Sequence, residues 1–93
     1  MGVASSFRLL VIDDEPNLVA SIRRLFCDED LLIIEAGDGK EGLRKVMSED
    51  PHVIVVDYKM PGMNGLEFIK AVRTFRDDVP VIVTTAQIGR AHV

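Results

Sequence analysis

Val53-Ile54-Val55-Val56-Asp57-Tyr58-Lys59-Met60-Pro61-Gly62-Met63-Asn64-Gly65 is the stretch that decides the fold. Four apolar residues run together without alternation, as expected of a strand covered on both faces, and the run ends in an acid. A loop follows, with Pro61-Gly62 and Asn64-Gly65 as its breakers. Asn64 and Glu67 then have the spacing of a capping box, Asn standing in for Ser or Thr. They open a helix through Leu66, Ile69 and Val72, reaching as far as Phe75.

The same grammar extends in both directions. Leu9-Leu10-Val11-Ile12 is a second unbroken apolar run that ends in acid, at Asp13-Asp14. Pro16 sits where a first helical turn tolerates it. Leu18, Val19, Ile22, Leu25 and Phe26 follow at helical spacing, which predicts an amphipathic helix from Pro16 to about Asp28. Leu32-Ile33-Ile34 reads as a strand. Leu43, Val46 and Met47 mark a short helix stopped before Pro51. Val79 to Thr84 is a last apolar strand, with Pro80 near its start, where a missing donor does least harm. The order β-α-β-α-β-α-β with short connections predicts a parallel sheet with right-handed crossovers, a three-layer α/β fold.

Composition narrows the function. Hydrophobic residues make up 47% and charged residues 28% of the 93, a globular and not a disordered balance. Eleven Lys and Arg against fifteen Asp and Glu give a net charge of −4 with no basic run, so direct nucleic-acid contact by this segment is not expected. No apolar stretch approaches the length that spans a bilayer, and no signal-peptide pattern opens the chain, so no membrane role is expected. Cys27 is the single cysteine, which excludes an internal disulfide and a thiolate metal site and fits a cytoplasmic location. Met1-Gly2-Val3-Ala4-Ser5-Ser6 matches the loose myristoylation consensus, but a small-residue arm over residues 1–7 leading into the first strand explains it as well.

Ligands of parallel sheets bind outside the carboxyl ends of the strands. If the first and third strands are neighbours, Asp13, Asp14 and Asp57 converge on one spot. Carboxylates that close raise one another's pKa unless a cation sits between them. A hard divalent ion with oxygen ligands resolves the repulsion, and Mg²⁺ suits a few carboxylates plus waters and phosphate. The plainer reading is that Asp13-Asp14 caps a helix and Asp57 starts a turn. Either acid alone favours that reading, and both together with the Pro61-Gly62 loop favour a site.

Three motifs now stand in order: Val11-Ile12-Asp13-Asp14-Glu15, then Asp57 through Gly65, then Val83-Thr84-Thr85-Ala86. Together they resemble the receiver domain of bacterial two-component response regulators, over residues 8–86. The resemblance implies a flavodoxin-like fold with strand order 2-1-3-4. It implies that Asp57 is the phosphoacceptor, and that Asp13, Asp14, Asp57 and the backbone carbonyl of Lys59 hold Mg²⁺. Thr85 would hydrogen-bond a phosphoryl oxygen as the switch residue, and Thr84 would point away by strand alternation. Positions 59 and 87 would lie beside the phosphoryl group. The implied partner is a sensor histidine kinase or phosphotransfer protein, and the implied parent protein carries an output domain, DNA-binding domains being one class. Such a domain is no separate enzyme but promotes its own phosphorylation and dephosphorylation. A pseudo-receiver that docks without phosphotransfer is the alternative within the fold.

A competing motif lies in Gly37-Asp38-Gly39-Lys40-Glu41-Gly42, a G-x-G-x-x-G between a strand and a helix, with Asp57 twenty residues beyond Gly37, near the spacing of a dinucleotide site. Asp38 and Glu41 would repel a pyrophosphate there, so a glycine-rich turn is the preferred reading. His52 reads as a lone turn histidine. Phe68 and Phe75 read as packing residues, and Arg73, Arg76, Asp77 and Asp78 as a solvated helix end.

The resemblance also sets an expectation about the chain's far end. The family's fifth strand and helix, and the lysine that ends that strand, have no counterpart here. Ile88-Gly89-Arg90-Ala91-His92-Val93 is what a common sequencing-library adapter encodes in one frame. Residues 87–93 are therefore expected to be non-native, which makes Gln87 an unreliable guide to its position; the other reading is a short receiver completed by a partner chain. With Val81-Ile82-Val83 as a bare apolar edge, the 93-residue chain is expected to fold weakly by itself.

Overall fold

The apolar runs become four parallel strands in the order β2-β1-β3-β4. The computed structural model describes residues 7–25 and 30–84. Its elements are β1 (Phe7–Ile12), α1 (Pro16–Leu25), β2 (Leu31–Ala36), α2 (Gly39–Glu49), β3 (Val53–Asp57), α3 (Gly65–Arg73) and β4 (Val81–Thr84). This is the flavodoxin-like receiver arrangement that the sequence resembles.

Register fixes which residues share a face. Leu10 pairs with Ile34 on one side and with Ile54 on the other, and Ile54 pairs with Val81. These residues, with Ile12, Ala36 and Val56, form the core against Val46 of α2 and Phe68 and Val72 of α3. Strand alternation turns Val11 to the opposite face, where it is also fully buried. β1 is thus covered on both faces at its carboxyl end, which is why Leu9-Leu10-Val11-Ile12 lacks polar alternation.

Helix starts follow local chemistry. Asp38 caps α2 by accepting the Glu41 N–H at 2.8 Å, and Glu41 reaches back to the Gly37 N–H at 3.0 Å. Asn64 and Glu67 form the reciprocal capping box expected of them, both bonds at 2.9 Å. Gly62 adopts φ +84°, the left-handed region that a turn following Pro61 requires.

Several expectations need correcting. β2 is longer than Leu32–Ile34, and β4 starts at Val81 because Val79 is buried in the preceding loop while the Pro80 carbonyl accepts the Ile54 N–H. Met47, Leu66 and Phe75 are exposed, whereas Val46 with Leu43 in α2, and Phe68 with Val72 in α3, pack as expected. α1 is described to Leu25; Phe26, Cys27 and Asp28 lie outside the described residues, as do Gly2 and the arm before Phe7.

Candidate functional site

β1 and β3 are direct neighbours, and their last pair is Ile12↔Val56. The next residue on each side is an aspartate, so Asp13, just past β1, and Asp57, the last residue of β3, stand side by side, with Asp14 beside them. One carboxylate oxygen from each of the three lies within 4.8 Å of the others. Asp13 is held by two contacts: its N–H donates to the Ala36 carbonyl at 3.1 Å, and its Oδ1 accepts the Glu15 N–H at 2.7 Å. That second bond is the helix-start role of the plainer reading, and it coexists with the convergence.

Asp57 is half-buried, and its Oδ1 accepts the Lys59 N–H at 3.3 Å. The residues that follow keep the chain close to the sheet. Tyr58 N–H donates to the Thr84 carbonyl at 2.7 Å, and Gly65 N–H donates to the Tyr58 carbonyl at 2.9 Å. A Cβ at Gly65 would stand 3.1 Å from Tyr58 Cα and 3.3 Å from the Asp57 carbonyl oxygen. The first turn of α3 therefore rests directly on the backbone of the acid. Gly65 is legible in the sequence only as part of a breaker pair; this close approach is not.

Burial, and then the charges of Asp57, Asp14 and Glu15, push the Asp13 carboxyl above its ordinary value, while the Glu15 N–H pulls it down. Among the described residues no salt bridge reaches any of the three acids. Asp13, Asp14, Glu35 and Glu41 also line an open cavity of about 390 Å³. Glu35 is ion-paired with Arg23 of α1. An unneutralised cluster of oxygen donors fits a hard divalent cation. Thr84 lies across from Asp57 in the β3–β4 register; Thr85, Ala86 and Gln87 lie outside the described residues.

The glycine-rich turn has a different use. The Asp38 carboxylate already occupies the amino end of α2. Gly42 packs against Ile12 and Phe68, and Gly39 against Met63. These glycines admit neighbouring side chains, and the negative cap opposes a phosphate.

Fold and site define a class: doubly wound α/β domains that hold their site at the carboxyl ends of the middle strands, where strand order reverses. The chain belongs to the response regulator receiver domain family, whose model matches residues 9–93. Response regulator MprA of Mycobacterium ulcerans is 37% identical over 82 residues, covering 88% of this chain and 35% of that protein. The same regulator of Mycobacterium tuberculosis is also 37% identical, over 88% of this chain and 36% of that protein. The chain thus spans about a third of the length of these curated relatives. Among solved structures, response regulator TrrA of Thermotoga maritima, in complex with Mg(2+)-BeF, superposes with a TM-score of 0.79 at 33% identity, over 94% of this chain and 76% of that one. Chemotaxis response regulator CheY4 of Vibrio cholerae gives 0.79 at 27% identity, over 94% and 77%.

Proposed function

We propose that Asp57 accepts a phosphoryl group from a phosphohistidine on a sensor histidine kinase or phosphotransfer protein. The observation that carries this reading is the convergence of three unneutralised carboxylates at adjacent strand ends. An Asp57 carboxylate oxygen attacks phosphorus, the phosphorus–nitrogen bond breaks, and the imidazole leaves with its electron pair and takes up a proton. The product is an acyl phosphate on Asp57. Asp13, Asp14, Asp57 and the Lys59 carbonyl would hold Mg²⁺, and the ion offsets repulsion between an anionic nucleophile and an anionic phosphoryl group. The Mg(2+)-BeF complex of TrrA supports that assignment by family likeness.

Thr85 is the residue proposed to take a phosphoryl oxygen, with Lys59 and Gln87 flanking the group. A crystal structure of TrrA with the histidine kinase ThkA, 35% identical over 86% of this chain and 69% of that one, TM-score 0.77, supports a kinase as partner. The parent protein then carries an output domain, works in the cytoplasm, and is switched by the charge added at Asp57. Water attack on the acyl phosphate, promoted by the same site, resets it.

Acetyl phosphate with Mg²⁺ is the direct test. Intact mass should gain one phosphoryl group, the gain should vanish with EDTA, and Asp57→Asn should abolish it. Beryllofluoride binding should follow the same pattern. An Asp57→Asn variant that still gains the group would overturn the assignment.

A further inference from the structure

At the amino end of the sheet, away from the acid cluster, stands a histidine that the reading above leaves unused. The His52 N–H donates to the Arg8 carbonyl at 2.8 Å, and the Arg8 N–H donates to His52 Nδ1 at 2.9 Å. The two residues close a ring of two hydrogen bonds just before Leu9↔Val53, the first pair of β1 with β3. The imidazole thereby replaces a backbone carbonyl in the ladder. Phe7 stacks on it, ring centroids 4.8 Å apart and planes 24° from parallel.

A nitrogen that accepts an N–H carries no proton, so this contact needs an unprotonated Nδ1. The charged groups around it come from every neighbouring element. Arg8 of β1 donates from Nε to the Glu49 and Asp50 carbonyls, and its guanidinium stands 3.6 Å from the Asp50 carboxylate. Arg76, after α3, pairs with Asp50 at 2.6 Å and with Asp78 at 3.0 Å. Asp30, before β2, accepts the Phe7 N–H through its carbonyl at 3.2 Å. Arg8, Asp50, His52, Arg76 and Asp78 line one open cavity of about 450 Å³.

We propose that His52 is a proton-operated clasp between β1 and β3. Neutral, it closes the amino end of the sheet. A proton on Nδ1 sets two N–H groups against each other at hydrogen-bond distance, and the Arg8 amide loses its acceptor. The ring then turns off Phe7, and β1 opens from β3 ahead of Leu9. His52 is exposed, so solvent supplies the proton. β1 is also the strand that leads to Asp13 and Asp14.

Amide hydrogen exchange of Arg8 in the full chain, corrected for intrinsic exchange, tests this. Protection of Arg8 should fall roughly tenfold from about pH 8 to about pH 5, the size of one net hydrogen bond. His52→Asn puts a carbonyl oxygen where Nδ1 stood, and protection should then stay level with pH. His52→Phe keeps the stacked ring without an acceptor, and protection should be low at both ends. The imidazole nitrogen-15 shifts of the wild type should show an unprotonated Nδ1 at the higher pH. Level protection in the wild type, or an undiminished fall in His52→Asn, would overturn the proposal.

Discussion

Asp13 owes its electrostatics to burial and to its acidic neighbours. Its carboxyl is raised above 3.8 by burial and then by Asp57, Asp14 and Glu15. A carboxyl raised in the folded state contributes stability that is complete below the unfolded value and is lost as pH rises through the folded one. Without divalent ions, the melting temperature should therefore fall as pH climbs out of that acid range. Asp13→Asn should flatten this part of the profile. Near neutral pH, Mg²⁺ at about a hundred times its Kd should restore roughly 2.7 kcal/mol by mass action. Thermal melts with EDTA and with Mg²⁺ check both statements, and a wild type indifferent to Mg²⁺ contradicts the second.

Helices and strands obeyed the periodicities read from the sequence, with errors of phase more than of kind. α3 was expected to bury Leu66, Ile69 and Val72, but its buried positions are Gly65, Phe68 and Val72. The stripe is rotated because the first turn presses a glycine onto Tyr58, and no hydropathy pattern ranks a glycine as a contact. The three aspartates were legible, since strand ends are where such sheets place a site. His52, Arg8, Asp50 and Arg76 were not: their partners lie 26 to 44 residues away, beyond any local pattern. At this scale the capping box is testable. Asn64→Ala should cost about 1 kcal/mol of stability and leave acetyl phosphate labelling of Asp57 in place wherever the chain is folded. Gly65→Ala should slow labelling, because its Cβ moves the backbone on which Asp57 rests. Denaturant melts and labelling rates separate the two variants.

For the molecule as a whole, one face of the sheet carries the packed core. Phe68 lies fully buried in it and touches the position of Gly42 in α2, so a single ring links both helices to the strands. Phe68→Ala should cost about 3–5 kcal/mol, a large share of the 5–15 kcal/mol typical of a domain. A chemical denaturation series reads this directly; a loss under about 1 kcal/mol would contradict the packing. Among the described residues, no helix is long and apolar enough to cross a membrane.

The contact of Gly65 with Tyr58 and Asp57 also bears on how this sequence can drift. A codon at that position has no neighbouring codon for another residue without a Cβ, so every missense change meets the same backbone, whatever its polarity. Lys59, two residues past Asp57, is exposed. Within one short segment, packing thus crowds any Cβ at one position while another faces solvent, where size meets no such backbone.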